Sequence, residues 1–236
     1  MAEPLVLIPG MMCDGRLFSH QFLALNRDRA VMVAPITGAS TIGALAQQVL
    51  DWAPKRFAVA GLSMGGIVAM EMLGRAPERI TRVALMDTNP LPETPQAAAA
   101  REPQIVGAQN GRLEEIMRDE MKPRYLAPGP GRVEVLNTVM EMAIDLGPEV
   151  FVSQSRALQR RPDQQKTLRQ TKIPALVLCG AHDALCPVKR HETMAELIPD
   201  AVLKVLPDAG HLPTLEMPQA VTDALLEWLG GPLILR

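Results

Sequence analysis

Two rhythms alternate along the chain. Short, mostly apolar runs at residues 5–8, 30–36, 57–60, 82–86, 173–179 and 201–206 lack the polar alternation of a half-exposed strand, as strands buried on both faces of a parallel sheet do. Between them lie stretches with helical spacing. Ile42, Leu45, Ala46, Val49 and Leu50 follow a cap at Ser40 or Thr41. Residues 67–73 carry apolar residues on every face, as a core helix does, 14–25 hold a short helix, and 219–229 form a closing one. Strands alternating with helices at this spacing predict an α/β fold around a mostly parallel sheet of about six strands, with right-handed crossovers.

The strand rhythm stops between Asp87 and Thr171. Helical patterns at 113–121, 133–144 and 150–158 are separated by the breakers Pro123, Pro128 to Gly131, and Gly147-Pro148. An insertion of about eighty residues with helices of its own is too long for a simple connection. Its methionines, Met117, Met121, Met140 and Met142, are expected either to line an adaptable apolar pocket or to pack the insertion against the sheet. The basic stretch 156–169 reads as a solvated surface, and the only biased tract is the alanine run at 97–100.

Where the third run meets its helix, the sequence reads Gly61-Leu62-Ser63-Met64-Gly65. A strand that reverses into a helix within two residues forces positive φ on the residue at the apex. It also brings strand and helix too close for side chains on the neighbours, which accounts for glycine on either side. Ser63 is thereby lifted to the helix N-terminus, where free backbone N–H groups favour a developing negative charge. Such an elbow makes serine a candidate nucleophile. A serine hydroxyl needs an imidazole to take its proton and a carboxylate to orient the imidazole. Asp183 follows the run 173–179 and His211 follows the run 201–206, both just past strand ends, where open parallel sheets place their ligands. Asp87, at the end of the run 82–86, is the alternative acid.

With GLSMGG, GAHDALCP, DAGHLPTLEMP and the Pro9-Gly10 turn after the first strand, the chain resembles the α/β-hydrolase family over nearly its whole length. The resemblance implies a doubly wound sheet in the order second, first, third, fourth, fifth, sixth. It divides the chain into a core of residues 1–89 and 171–236 and a helical cap, residues 90–170, inserted after the fourth strand. Many members begin with two extra strands; this chain starts at the strand before Pro9, which implies a minimal six-stranded core. The implied oxyanion donors are the backbone N–H groups of Met11 and Met64. The implied function is a serine hydrolase for a small carboxylic ester, thioester or lactone, with Ser63, His211 and Asp183 as triad and no metal or organic cofactor. Alternatives are the same triad used for carbon–carbon cleavage, acyl transfer or a lyase step, or a ligand receptor that keeps the fold without turnover.

Composition narrows the partners. The chain has 236 residues, 47% hydrophobic and 21% charged, enough for one sizeable core. A net charge of −2 from 24 basic and 26 acidic residues gives no electrostatic case for nucleic acid or an anionic membrane, so a small-molecule substrate is expected. No signal-like or bilayer-length segment is evident. Cys13, Cys179 and Cys186 lack metal-type spacing and are odd in number, which argues against a disulfide framework and for a reduced, cytoplasmic protein. Cys179 is expected in a buried strand, with Cys13 and Cys186 in loops near the site. His20 and His191 are expected at the surface or at helix ends, and His182 facing away from the site. Asp208 is expected to shape a turn, and Glu216 to cap or orient the final helix.

Overall fold

The computed structural model describes residues 2–232. Six strands, β1 (Leu5–Ile8), β2 (Val31–Val33), β3 (Phe57–Leu62), β4 (Ile80–Met86), β5 (Ala175–Gly180) and β6 (Val202–Leu206), form one parallel sheet in the order β2-β1-β3-β4-β5-β6. This is the order the resemblance implies. The central strands β1, β3, β4 and β5 are buried at every position, whereas the edge strands β2 and β6 are only partly covered. That distribution explains the four central apolar runs: a strand between two neighbours, covered on both faces, has few positions where water favours a polar side chain. β2 is shorter than its apolar run, because Pro35 lacks the N–H that would extend the ladder.

Helices α1 (Ser19–Leu25), α2 (Ile42–Trp52), α3 (Met64–Arg75), α7 (Gln165–Gln170), α8 (Val188–Leu197), α9 (Pro213–Glu216) and α10 (Pro218–Gly230) accompany the sheet. The start of α2 is fixed by Thr41, whose hydroxyl accepts the Ala44 N–H, and its buried residues are the five apolar positions that predicted it. No helix among the described residues is long and apolar enough to cross a membrane.

Between β4 and β5 the chain builds α4 (Pro95–Gln109), a short α5 (Leu113–Glu115) that runs on as a π-helical turn to Met121, and α6 (Arg132–Gln159). Gly147, at φ 79°, kinks α6 at the Gly-Pro breaker, so its two arms are the two helices expected there. The sequence reading missed α4. It opens with Thr94 as cap and Pro95 at its first position, but Pro103 interrupts it and no continuous apolar stripe runs along it. Of the four methionines in question, Met117 and Met142 are fully buried packing residues, and Met121 lines the cavity described below.

Candidate active site

Local sterics create the centre of the site. Ser63 adopts φ 55°, ψ −116° at the junction of β3 and α3, a conformation strained for any residue with a side chain. Its N–H donates to Met86 O (2.9 Å), and its carbonyl accepts from the Thr88 hydroxyl (2.7 Å), so β4 holds the apex in place. A Cβ on Gly61 would stand 2.3 Å from Gly65 O, and one on Gly65 would stand 2.0 Å from Ile8 O. Both clashes are with backbone, which cannot swing away, so the sharp turn requires glycine at both positions.

The loops after β5 and β6 bring two more side chains to this apex. His211 Nε2 lies 2.9 Å from Ser63 Oγ, and His211 Nδ1 lies 2.8 Å from Asp183 Oδ2. The other oxygen of Asp183 accepts the N–H groups of Leu185 and Cys186 (2.8 and 2.9 Å). Burial pushes the Asp183 carboxyl up, but the hydrogen bond and charge of His211 and these two N–H groups outweigh it and hold the pKa below its ordinary value. Asp87 sits alongside, fully buried at φ 43°, and accepts the Gly180 N–H (2.9 Å) rather than contacting His211. Burial, and then the charge of Asp183, raises Asp87 well above the carboxylate range. Of these two neighbouring carboxyls, Asp183 gives up its proton more readily and Asp87 holds its proton to higher pH.

Gly10 packs against the serine: a Cβ there would be 3.3 Å from Ser63 Cβ. The next amide, that of Met11, and the amide of Met64 at the start of α3 both lack a protein acceptor among the described residues.

Three contacts that support the site were invisible in the sequence. Gln154 on α6, fully buried, accepts the Met12 N–H on Oε1 (2.8 Å) and donates from Nε2 to Ile36 O (3.0 Å), tying the loop after β1 to the insertion. Glu216, expected to serve the final helix, instead holds the histidine loop. Its Oε2 accepts from Gly210 N (2.9 Å) and Ala127 N (2.8 Å), and its Oε1 from Leu212 N (3.0 Å). A glutamate six positions past a free amide gives no helical or strand signal, so only the folded loop shows this role. His191 is likewise not at the surface. It is fully buried, and its Nε2 accepts the Thr88 N–H (3.0 Å), which leaves the ring proton on Nδ1; burial lowers its pKa to about 4. His20 and His182 are exposed, and Asp208 sits in an exposed turn, as expected.

Asp183, Cys186 and His211 place donor atoms within 4.8 Å of one another, the one grouping of three metal-binding side chains among the described residues. The set suits an ion poorly. The near imidazole nitrogen is engaged by Asp183, and burial pushes the Cys186 thiol well above its ordinary pKa, away from the thiolate a metal needs. Burial likewise pushes the Cys13 and Cys179 thiols up to about 12.

Ser63 and His211 open into a cavity of about 390 Å³. Its walls combine core residues, among them Gly10, Ile67 and Leu212, with insertion residues that include Met121, Tyr125 and Leu158. The insertion also braces the histidine: His211 N donates to Tyr125 O (2.6 Å), and the two rings lie 5.8 Å apart at 41°.

The model of the alpha/beta hydrolase family matches residues 5–224. Among solved structures, a thermophilic esterase from Thermogutta terrifontis superposes with a TM-score of 0.89 at 30% identity, over 97% of this chain and 90% of that one. The enol-lactonase from Burkholderia xenovorans follows at 0.88 and 25%, over 98% and 92%. A pimeloyl-[acyl-carrier protein] methyl ester esterase from Aromatoleum aromaticum is 28% identical over 190 residues, 76% of each chain. The chain belongs to the alpha/beta hydrolase family. Within that family it is an enzyme of the carboxylic ester hydrolase type, acting on small-molecule substrates.

Proposed function

We propose that the protein hydrolyses a small carboxylic ester, thioester or lactone through an acyl-enzyme on Ser63. The observation that carries this reading is the continuous hydrogen-bonded chain from Ser63 Oγ through both nitrogens of His211 to Asp183. His211 Nε2 takes the hydroxyl proton as Ser63 Oγ attacks the carbonyl carbon. Asp183, ionised and fixed by two backbone N–H groups, keeps the other ring proton on Nδ1 and stabilises the imidazolium that forms. The carbonyl oxygen, now negative, is received by the N–H groups of Met11 and Met64. Neither has a protein acceptor to lose, so they are available as the charge develops. His211 then protonates the leaving alcohol or thiol, and a water activated by the same nitrogen releases the acid and restores Ser63.

The insertion, residues 90–170, acts in this reading as a cap that sets substrate size, supported by its share of the cavity wall. The volume suits a molecule of modest size. Relatives that act on a methyl ester and on an enol-lactone support the same substrate class.

Ser63→Ala is the direct test. It is expected to fold normally and lose activity on a chromogenic acetyl ester by up to about 10⁶-fold. A fluorophosphonate probe is expected to label the unmodified enzyme and spare the variant. Undiminished turnover in Ser63→Ala, or labelling at another residue, would overturn the assignment.

A further inference from the structure

Five charged side chains line the cavity: Arg101, Arg124 and Arg161 against Glu93 and Glu120. Its wall is therefore net cationic in a chain whose overall charge is −2. Two of the arginines share one carboxylate unequally. Arg101 lays Nε and Nη2 on Glu93 at 2.9 and 2.5 Å, taking up both of its oxygens. Arg161 Nη1 stops 3.8 Å from Glu93 Oε1, beyond hydrogen-bond reach. Its one hydrogen bond runs from Nε to Leu91 O (2.9 Å), and neither terminal nitrogen has an acceptor among the described residues. This half-satisfied guanidinium is not a surface group, since its side chain is only 12% exposed. Burial lowers its pKa, and the nearby charges of Arg101 and Arg190 act in the same direction against Glu93. A largely buried cation whose nearest carboxylate, Glu93, is already engaged by Arg101 leaves its terminal N–H donors to an anion from elsewhere, and the cavity is where one can arrive. Arg101 also links this cluster to the reacting end of the cavity, with Nη1 3.8 Å from Met11 Sδ.

We infer that the ester bound in this cavity carries a second, anionic group, a carboxylate, which Arg161 receives on its terminal nitrogens with Arg101 reinforcing the charge. Planar carboxylate and planar guanidinium match in a two-point contact, which fixes the scissile group relative to Ser63. The inference rests on Ser63 being the nucleophile, and its test separates the two.

Monomethyl adipate and methyl hexanoate have the same chain length and the same methyl ester and differ in the terminal carboxylate. The enzyme is expected to favour the adipate half-ester in kcat/KM by about 10- to 100-fold, the worth of a charge-assisted contact. Arg161→Gln should shrink that ratio by the same factor, and Arg161→Lys should keep part of it; thermal melts check that both variants fold. Free adipate should slow fluorophosphonate labelling of Ser63 in the unmodified enzyme and lose that effect in Arg161→Gln. A preference for methyl hexanoate, or a parallel fall on both esters in Arg161→Gln, would overturn the inference while leaving the hydrolase reading intact. If Ser63 were neither labelled nor needed for turnover, the hydrolase reading would fail. Calorimetry with adipate would then decide the anion site, saturable binding lost in Arg161→Gln supporting it and no binding refuting it.

Discussion

Replacing Gln154 with methionine removes the clamp on the loop that carries Met11 while keeping the length and nearly the volume of the side chain. Gln154 is fully buried and serves two backbone groups on separate segments, the Met12 N–H and the Ile36 carbonyl. Each would be left without a partner in a site water does not reach, at about 1–3 kcal/mol apiece, so a loss of about 2–6 kcal/mol in urea unfolding is expected. Met12 is also held at φ 55°, a conformation that costs about 1–3 kcal/mol and persists only while its surroundings enforce it. With its N–H released, Met12 should relax and carry the adjacent Met11 amide with it. Complete loss of one oxyanion donor costs about 10²–10³ in rate, so a displaced one should lower kcat by at least about tenfold. The donor acts on the transition state, so KM should change much less. Steady-state kinetics on a chromogenic acetyl ester measure the split. Gln154→Glu, which keeps an acceptor for the Met12 N–H, should recover more of kcat than Gln154→Met. A Gln154→Met protein that is destabilised as stated yet retains kcat within twofold would show that the loop is held by other contacts.

Four further outcomes follow from the same geometry. Asp183→Asn should reduce kcat by about 10⁴-fold, since the amide can stabilise the wrong imidazole tautomer, whereas Asp87→Asn should leave it within a few-fold. The two acids should also act oppositely on stability. Asp87, with its folded pKa raised above 3.8, favours the fold below that pH and loses this contribution as pH rises through the folded value. Asp183, with its pKa lowered from 3.8, contributes above that pH and loses its contribution as pH falls through the folded value. Denaturant titrations across pH 4–8 should therefore show Asp87→Asn gaining on the unmodified protein as pH rises. Glu216→Gln should cost about 2–4 kcal/mol and lower kcat, because one amide oxygen cannot replace a carboxylate that receives three N–H groups. Gly65→Ala should abolish soluble, active protein, its Cβ falling 2.0 Å from Ile8 O, while Gly15→Ala, with nothing within 4 Å, should behave normally.

The sequence alone determined whatever depends on neighbours in the chain or on burial common to a whole element. Four of the six apolar runs specify the central strands, because burial on both faces disfavours polar residues there. Gly61 and Ser63 specify the elbow because the clash at Gly61 is with Gly65 O, within five consecutive residues, whereas Gly65 is needed because Ile8 O of β1 packs against it, which the fold supplies. Asp183 and His211 were legible because each follows a strand, and strand ends converge on one edge of a parallel sheet. The tertiary structure alone decided the contacts between segments that no local pattern links. Gln154 reaches an amide 142 residues away, His191 one 103 away and Glu216 one 89 away, each through a single polar side chain in an otherwise ordinary helix or turn. α4 gave no stripe to read because its cavity-facing side is built from Ala97, Ala100, Arg101 and Gln104, which are small or polar. The division of charge between Asp87 and Asp183 likewise had to wait for the fold. Both follow strands with the same residue type, and it is the full burial of Asp87 and the approach of His211 to Asp183 that raise one pKa and lower the other.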